Sequence, residues 1–171
     1  MLDGVTTFCQ QQFVRGSGLS MRIALYQPDI AGNVGAILRL GACLGVPVDV
    51  IEPTGFTWSD KALARSGMDY ADTVDVTRHA DWDAFLPTVT GRLVLLTTRG
   101  GTRLDAATFG ADDTLLLGSE GSGVPDSIHA LADVAVRIPL EAGMRSLNIA
   151  VAAGIGVAEA LRQTGGWPHD P

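Results

Sequence analysis

The chain has 171 residues, enough for one domain with a single sizeable core. A hydrophobic fraction of 46% is ordinary for a soluble globular protein, and 21 glycines point to many tight turns. The net charge of -7 and pI near 4.7 argue on their own against a nucleic-acid partner, although binding depends on a local patch rather than on the average.

Residues 1–20 lack both a basic leader and a continuous apolar stretch, so they do not read as a secretory signal. Gln10-Gln11-Gln12 and Gly16-Ser17-Gly18 read as a flexible tail, and Met21, which opens the first convincing strand, is a candidate natural start. Arg22 to Gln27 is a β-rich run, followed by the loop Pro28-Asp29-Ile30-Ala31-Gly32. Asn33 is expected to cap a helix with apolar residues at Val34, Ile37, Leu38, Cys43 and Leu44, ended by Gly45. Val46 to Ile51 is a second strand. Ser59 or Asp60 caps a short helix through about Ser66, stopped by Gly67. Val74-Asp75-Val76 is a brief strand, and Asp81 to Leu86 forms one or two helical turns. Arg92 to Thr98 and Thr114 to Leu117 are buried strands, each ending in glycines. Pro125 to Leu131 is a short helix, Val134 to Ile138 the last strand, and Leu147 to Gln163 a closing helix of small residues.

Strands alternating with helices predict an α/β fold, with a largely parallel sheet covered by helices on both faces. The domain is expected to span residues 21–165, with 166–171 as a C-terminal tail. No apolar run reaches the roughly 20 residues needed to span a bilayer. The nearest, Leu147 to Leu161, is broken by Gly154, Gly156 and Glu159. A cytoplasmic protein with no membrane partner is the expectation. Cys9 and Cys43 form no disulfide framework, with Cys43 read as core. His79, His129 and His169 have no metal-ligand spacing, so no metal is expected.

In open sheets of this kind ligands sit beyond the carboxyl ends of the strands. The turns after Leu96, Leu117 and Ile138 could therefore converge on one site. Gly118-Ser119-Glu120-Gly121-Ser122-Gly123 lets a ligand approach the main chain closely. A phosphate loop would present bare amides and usually a Lys, so Glu120 favours a neutral or positively charged ligand. Walker A, the dinucleotide fingerprint and the Gly-x-Ser-x-Gly elbow are all missing. The closing helix is apolar on nearly all faces, which predicts burial, a subunit interface or both. Eleven of the twelve basic residues are Arg, whose planar fork suits phosphate. On local grounds Arg39 is either a solvated helix residue or part of a site. Arg145 stands beside Ser146, which is a candidate helix cap.

Three segments together resemble the motifs of the SPOUT class of RNA methyltransferases, SpoU branch: Asn33 to Arg39, Leu117 to Pro125, and Ile138 to Ala152. Leu25-Tyr26-Gln27-Pro28, Ile51 to Phe56, Asp60-Lys61, Gly67-Met68-Asp69-Tyr70 and Val76-Thr77-Arg78-His79 further resemble the small tRNA (cytidine/uridine-34) 2′-O-methyltransferases. The resemblance implies a C-terminal trefoil knot, S-adenosyl-L-methionine bound in it, a homodimer and a tRNA substrate. Leu96, Gly118, Ile138, Leu140 and Ser146 would contact the cofactor. Arg39, Asn33, Glu120 and Asn148 would form the catalytic centre, with Arg145 and Arg39 on RNA. Gly154 and Gly156 stand where relatives carry bulkier residues. The open alternatives are the same chemistry on another RNA, or a non-catalytic module that keeps the cofactor fold.

Overall fold

The computed structural model describes residues 21–58 and 75–169. The expected tail over 1–20, Cys9, the helix from Ser59 or Asp60 to Ser66, and the segments Asp60-Lys61 and Gly67-Met68-Asp69-Tyr70 lie outside the described residues. Seven strands form one sheet: β1 (Arg22–Tyr26), β2 (Val48–Ile51), β3 (Val76–His79), β4 (Leu93–Leu96), β5 (Thr102–Arg103), β6 (Thr114–Leu117) and β7 (Val134–Arg137). Their order is β3-β2-β1-β6-β4-β7-β5, and each neighbouring pair is parallel. Among the described residues the helices are α1 (Ala31–Leu44), α2 (Trp82–Phe85), α3 (Asp126–His129) and α4 (Ile149–Thr164), with two short 3₁₀ turns.

Side chains alternate across a strand, and the central strands carry apolar residues on both sides. Ile23, Leu25, Val94, Leu96, Leu115 and Leu117 enter a core shared with α1 and α4. Ala24, Leu93, Leu95 and Leu116 enter a second core with Phe85 of α2 and Ile128 of α3. That two-sided burial is why the strands read as unbroken apolar runs. Charged pairs pin the sheet where no apolar residue does. Asp49 of β2 is fully buried and accepts from Arg22 Nε and Nη2 at 2.6 and 2.8 Å, with His79 Nε2 at 2.7 Å. The Asp49 carboxylate raises the Arg22 guanidinium above its ordinary pKa. Asp113, also fully buried, takes Arg92 Nε and Nη2 at 3.0 and 2.7 Å at the entrance to β6.

Several expectations need correction. The first helix starts at Ala31 with Ile30 as its N-cap, so Asn33 lies inside the first turn and does not cap it. Cys43 is exposed rather than core, because it falls on the outer side of α1 while Val34, Ile37 and Leu38 face the sheet. Of the strand expected at Val74–Val76, Val74 lies outside the described residues, Asp75 is not in a strand, and the strand runs over Val76–His79, where it pairs with β2. The edge strand β5 had no sequence signal, since two residues are too few to show a period. The last helix begins at Ile149, and Asn148 rather than Ser146 caps it, accepting from the amides of Ala150 and Val151 at 2.9 and 3.4 Å.

Candidate active site

The carboxyl ends of β4, β6 and β7 open into a cavity of about 710 Å³. Its size lies within the ordinary range for small-molecule sites, roughly 300–1,000 Å³. Leu96, Gly118, Ile138, Leu140 and Ser146, each placed at a cofactor position by the resemblance, all line it. Asn33, Glu120, Arg145 and Asn148 line it too. Four segments distant in sequence therefore meet at one opening.

The glycine turn after β6 closes on itself. Ser119 and Gly123 exchange main-chain hydrogen bonds of 3.1 and 2.9 Å, and Ser119 Oγ lies 2.8 Å from Ser122 Oγ. Gly123 sits at φ 69°, in the left-handed region where a Cβ is strained. Gly118 has no room for a side chain: a Cβ there would lie 2.7 Å from Gly123 Cα. The cavity wall at this point is bare main chain. A Cβ added at Gly156 of α4 would lie 2.5 Å from Leu96 Cδ1, so the missing side chain leaves room for Leu96, which lines the cavity.

A chain of side-chain hydrogen bonds crosses the rim. Glu120 Oε1 accepts from Asn33 Nδ2 at 2.9 Å, and Glu120 Oε2 accepts from the Asp29 amide at 2.8 Å. Asn33 Oδ1 accepts in turn from Asn148 Nδ2 at 2.9 Å. Asn148 Oδ1 is held by the N-terminus of α4, which orients both amides along the chain. Each amide retains one N–H, and the carboxylate retains lone pairs, for a further partner. Glu120 therefore does two things: it carries the negative charge expected to suit a cationic ligand, and it ties the glycine turn to α1.

Asp29 was missed by sequence reasoning, which read Pro28-Asp29 only as loop. Its Oδ2 accepts from the Gly121 amide at 3.0 Å, so its side chain and main chain together clasp the glycine turn. Gln27, at φ 45°, makes the reversal that aims this loop across the strand ends. An acidic residue after proline at a strand end was the available signal.

Arg39 is the expected site residue that does not join the others. It is exposed on α1 and is not among the cavity-lining residues. Six residues separate it from Asn33, which places it about 9 Å along the axis and about 120° around it. Arg145 stays on the rim in the exposed segment between β7 and α4. Arg99, also on the rim, is paired with Asp126 at 2.9 Å. Among the described residues no cluster of His, Cys, Asp and Glu could hold a metal ion, and no helix is long and apolar enough to cross a membrane.

Comparison with known proteins points to the same family. The family model described as the SpoU rRNA methylase family matches residues 20–158. A tRNA (cytidine(34)-2′-O)-methyltransferase of Beijerinckia indica is 53% identical over 146 residues, covering 84% of this chain and 91% of its own. A solved structure concerned with the 2-OH methylation of C/U34 on tRNA superposes with a TM-score of 0.81 at 38% identity, covering 85% of this chain and 97% of that one. The SpoU methyltransferase AviRb of Streptomyces viridochromogenes, solved in complex with AdoMet, has a TM-score of 0.76 at 25% identity, covering 86% of this chain and 59% of that one.

Proposed function

The chain belongs to the SpoU rRNA methylase family, and from that premise we propose that it methylates the ribose 2′-hydroxyl of nucleotide 34 in tRNA. The observation that carries this reading is the Glu120–Asn33–Asn148 chain on the rim of the cavity, because it places the three polar residues of three motifs in one hydrogen-bonded line. Similarity at 53% identity to a protein named for cytidine-34 supports the choice of nucleotide.

The site fits S-adenosyl-L-methionine. The cavity is large enough, Gly118 lets the turn after β6 fold tightly on itself so that main chain lines the wall, and the Glu120 carboxylate complements a cation. When bound, the cofactor supplies a methyl group activated by its sulfonium. Leu96, Gly118, Ile138, Leu140 and Ser146 would hold it.

A ribose hydroxyl is a weak nucleophile at neutral pH, so the chain must place it in line and help remove its proton. The free N–H groups of Asn33 and Asn148 orient the ribose oxygen at the rim. Arg145 grips RNA backbone from the exposed segment before α4. Arginine stays protonated, so Arg39, outside the cavity, acts by orienting an RNA phosphate that assists proton transfer.

The acting species in this reading is a homodimer. Ile30 and Val151 are each 51% exposed, and Leu147 and Ile155 join them as large apolar side chains left open around the α1–α4 pair. A second copy covering this face would also pool Arg39, Arg78, Arg99, Arg103 and Arg145 against RNA, offsetting the acidic average. The C-terminal knot is part of the same proposal. It is supported by a strand order that puts β6 between β1 and β4, with β7 beyond β4.

The test is methyl transfer to total tRNA from a strain lacking wobble ribose methylation, with the product mapped by mass spectrometry. A new 2′-O-methyl group at nucleotide 34 is the expected result. A methyl at another position would overturn the choice of nucleotide, and no transfer despite cofactor binding would overturn catalysis on tRNA.

A further inference from the structure

At the carboxyl ends of β2 and β3, beside the site, lies an aromatic cluster around Arg78 to which the proposed mechanism gives no role beyond the charge of Arg78. Phe56 and Trp58 are stacked, with ring centroids 6.0 Å apart and planes 24° from parallel. The Arg78 guanidinium lies 4.8 Å above the Trp58 ring centroid, and Arg78 also pairs with Glu52. Arg78 is 43% exposed, so this planar cation is presented to solvent while two partners fix its orientation. The loop that carries the rings is joined to the site. The Gly55 amide donates to Pro28 O at 2.9 Å, and Gly55 packs so closely on Asp29 that a Cβ would come within 2.8 Å of its Cα. Asp29 in turn clasps the glycine turn.

Along the carboxyl edge of the sheet the order is then the aromatic cluster, the Asn33–Glu120 network and the cavity. Strands are spaced about 4.8 Å apart, so β2 and β6, with only β1 between them, are roughly 10 Å apart. From this arrangement we infer that Arg78, Trp58 and Phe56 form a stacking subsite for an unpaired base of the RNA substrate, next to the nucleotide at the catalytic rim. Arginine planes and aromatic faces are the groups on which splayed RNA bases stack. Because Arg78 is already held by Trp58 and Glu52, little ordering remains when the base arrives. The inference rests on the RNA methyltransferase reading above.

The test uses full-length protein in which Trp82 and Trp167 are replaced by Phe, leaving Trp58 as the fluorophore. It is titrated with an anticodon stem-loop RNA and with a fully paired RNA duplex. Quenching by the stem-loop and none by the duplex is expected. In the otherwise native chain, Trp58→Leu and Arg78→Met are expected to raise KM for tRNA roughly 5- to 150-fold, with kcat and S-adenosyl-L-methionine affinity kept. Trp58→Phe, which retains a ring, is expected to restore most of the loss. Stem-loop binding without quenching, or variants with native KM, would overturn the subsite and leave the methyltransferase reading standing. If the native protein neither binds the stem-loop nor methylates tRNA, the parent reading fails and the subsite fails with it.

Discussion

Replacing Gly118 by Ala tests whether the cavity wall must be bare main chain. The added Cβ would lie 2.7 Å from both Gly123 Cα and the Val124 nitrogen, and both are backbone atoms that cannot rotate away. The nearest atom is the Gly123 carbonyl carbon, and relief requires the turn to move by about 1 Å to bring it to ordinary contact, which opens the paired Ser119–Gly123 bonds of 3.1 and 2.9 Å. Overpacking of this kind costs about 1–3 kcal/mol, and each weakened bond adds about 0.5–1.5 kcal/mol. The sum, about 2–6 kcal/mol, is divided between folding and ligand binding. We expect the melting temperature to fall by roughly 4–15 °C and the affinity for S-adenosyl-L-methionine to fall at least tenfold by isothermal titration calorimetry. Gly121→Ala is the control, since a Cβ there meets only Asp29 Oδ2 at 3.4 Å. If the two variants melt and bind alike, the close-approach argument for this turn is wrong.

Arg39→Ala should leave cofactor affinity within about twofold while collapsing methyl transfer, because Arg39 lies outside the cavity; equal loss of both would make it a structural residue. Asp49→Ala should destabilise the fold by about 3–5 kcal/mol in urea unfolding, since it strands Arg22 and His79 without their buried partner. The Glu159 carboxyl is held down at about 2 by hydrogen bonds from Arg162 and then Gln163. Its contribution is therefore fully present above the unfolded value near 4.3 and is lost as pH falls through about 2. Melting curves of Glu159→Gln should match the native protein below that point and fall slightly under it at pH 5 to 7.

The parts of the fold governed by local pattern were legible, and the parts governed by distant partners were not. Leu93-Val94-Leu95-Leu96 could only suit a sheet covered on both faces, and it lies between two cores. Gly118 was recognisable as a close-approach glycine, although the atoms it makes room for are its own turn rather than a ligand alone. Asn33 misled because asparagine both caps helices and bridges side chains. Its actual partners, Glu120 and Asn148, are 87 and 115 residues away, and no local signal reports them. Cys43 misled because apolar periodicity assigns a sulfur to the core that α1 in fact turns outward. The resemblance supplied Arg39 as a catalytic candidate, and only helix geometry revealed that it stands off from the cavity.

The bond between Asn148 and Asn33 also sets a schedule. Asn33 is made early and must wait for a partner 115 residues later, which also starts the last helix. At ribosomal rates of about 5–20 residues per second, that wait lasts about 6–23 s. Until then Asn33 Oδ1 lacks its donor, and the line that starts at Glu120 stops at Asn33. The line is thus complete only once Asn148 is in place, and a chain cut short before α4 would carry the strands of the enzyme without the last member of its rim.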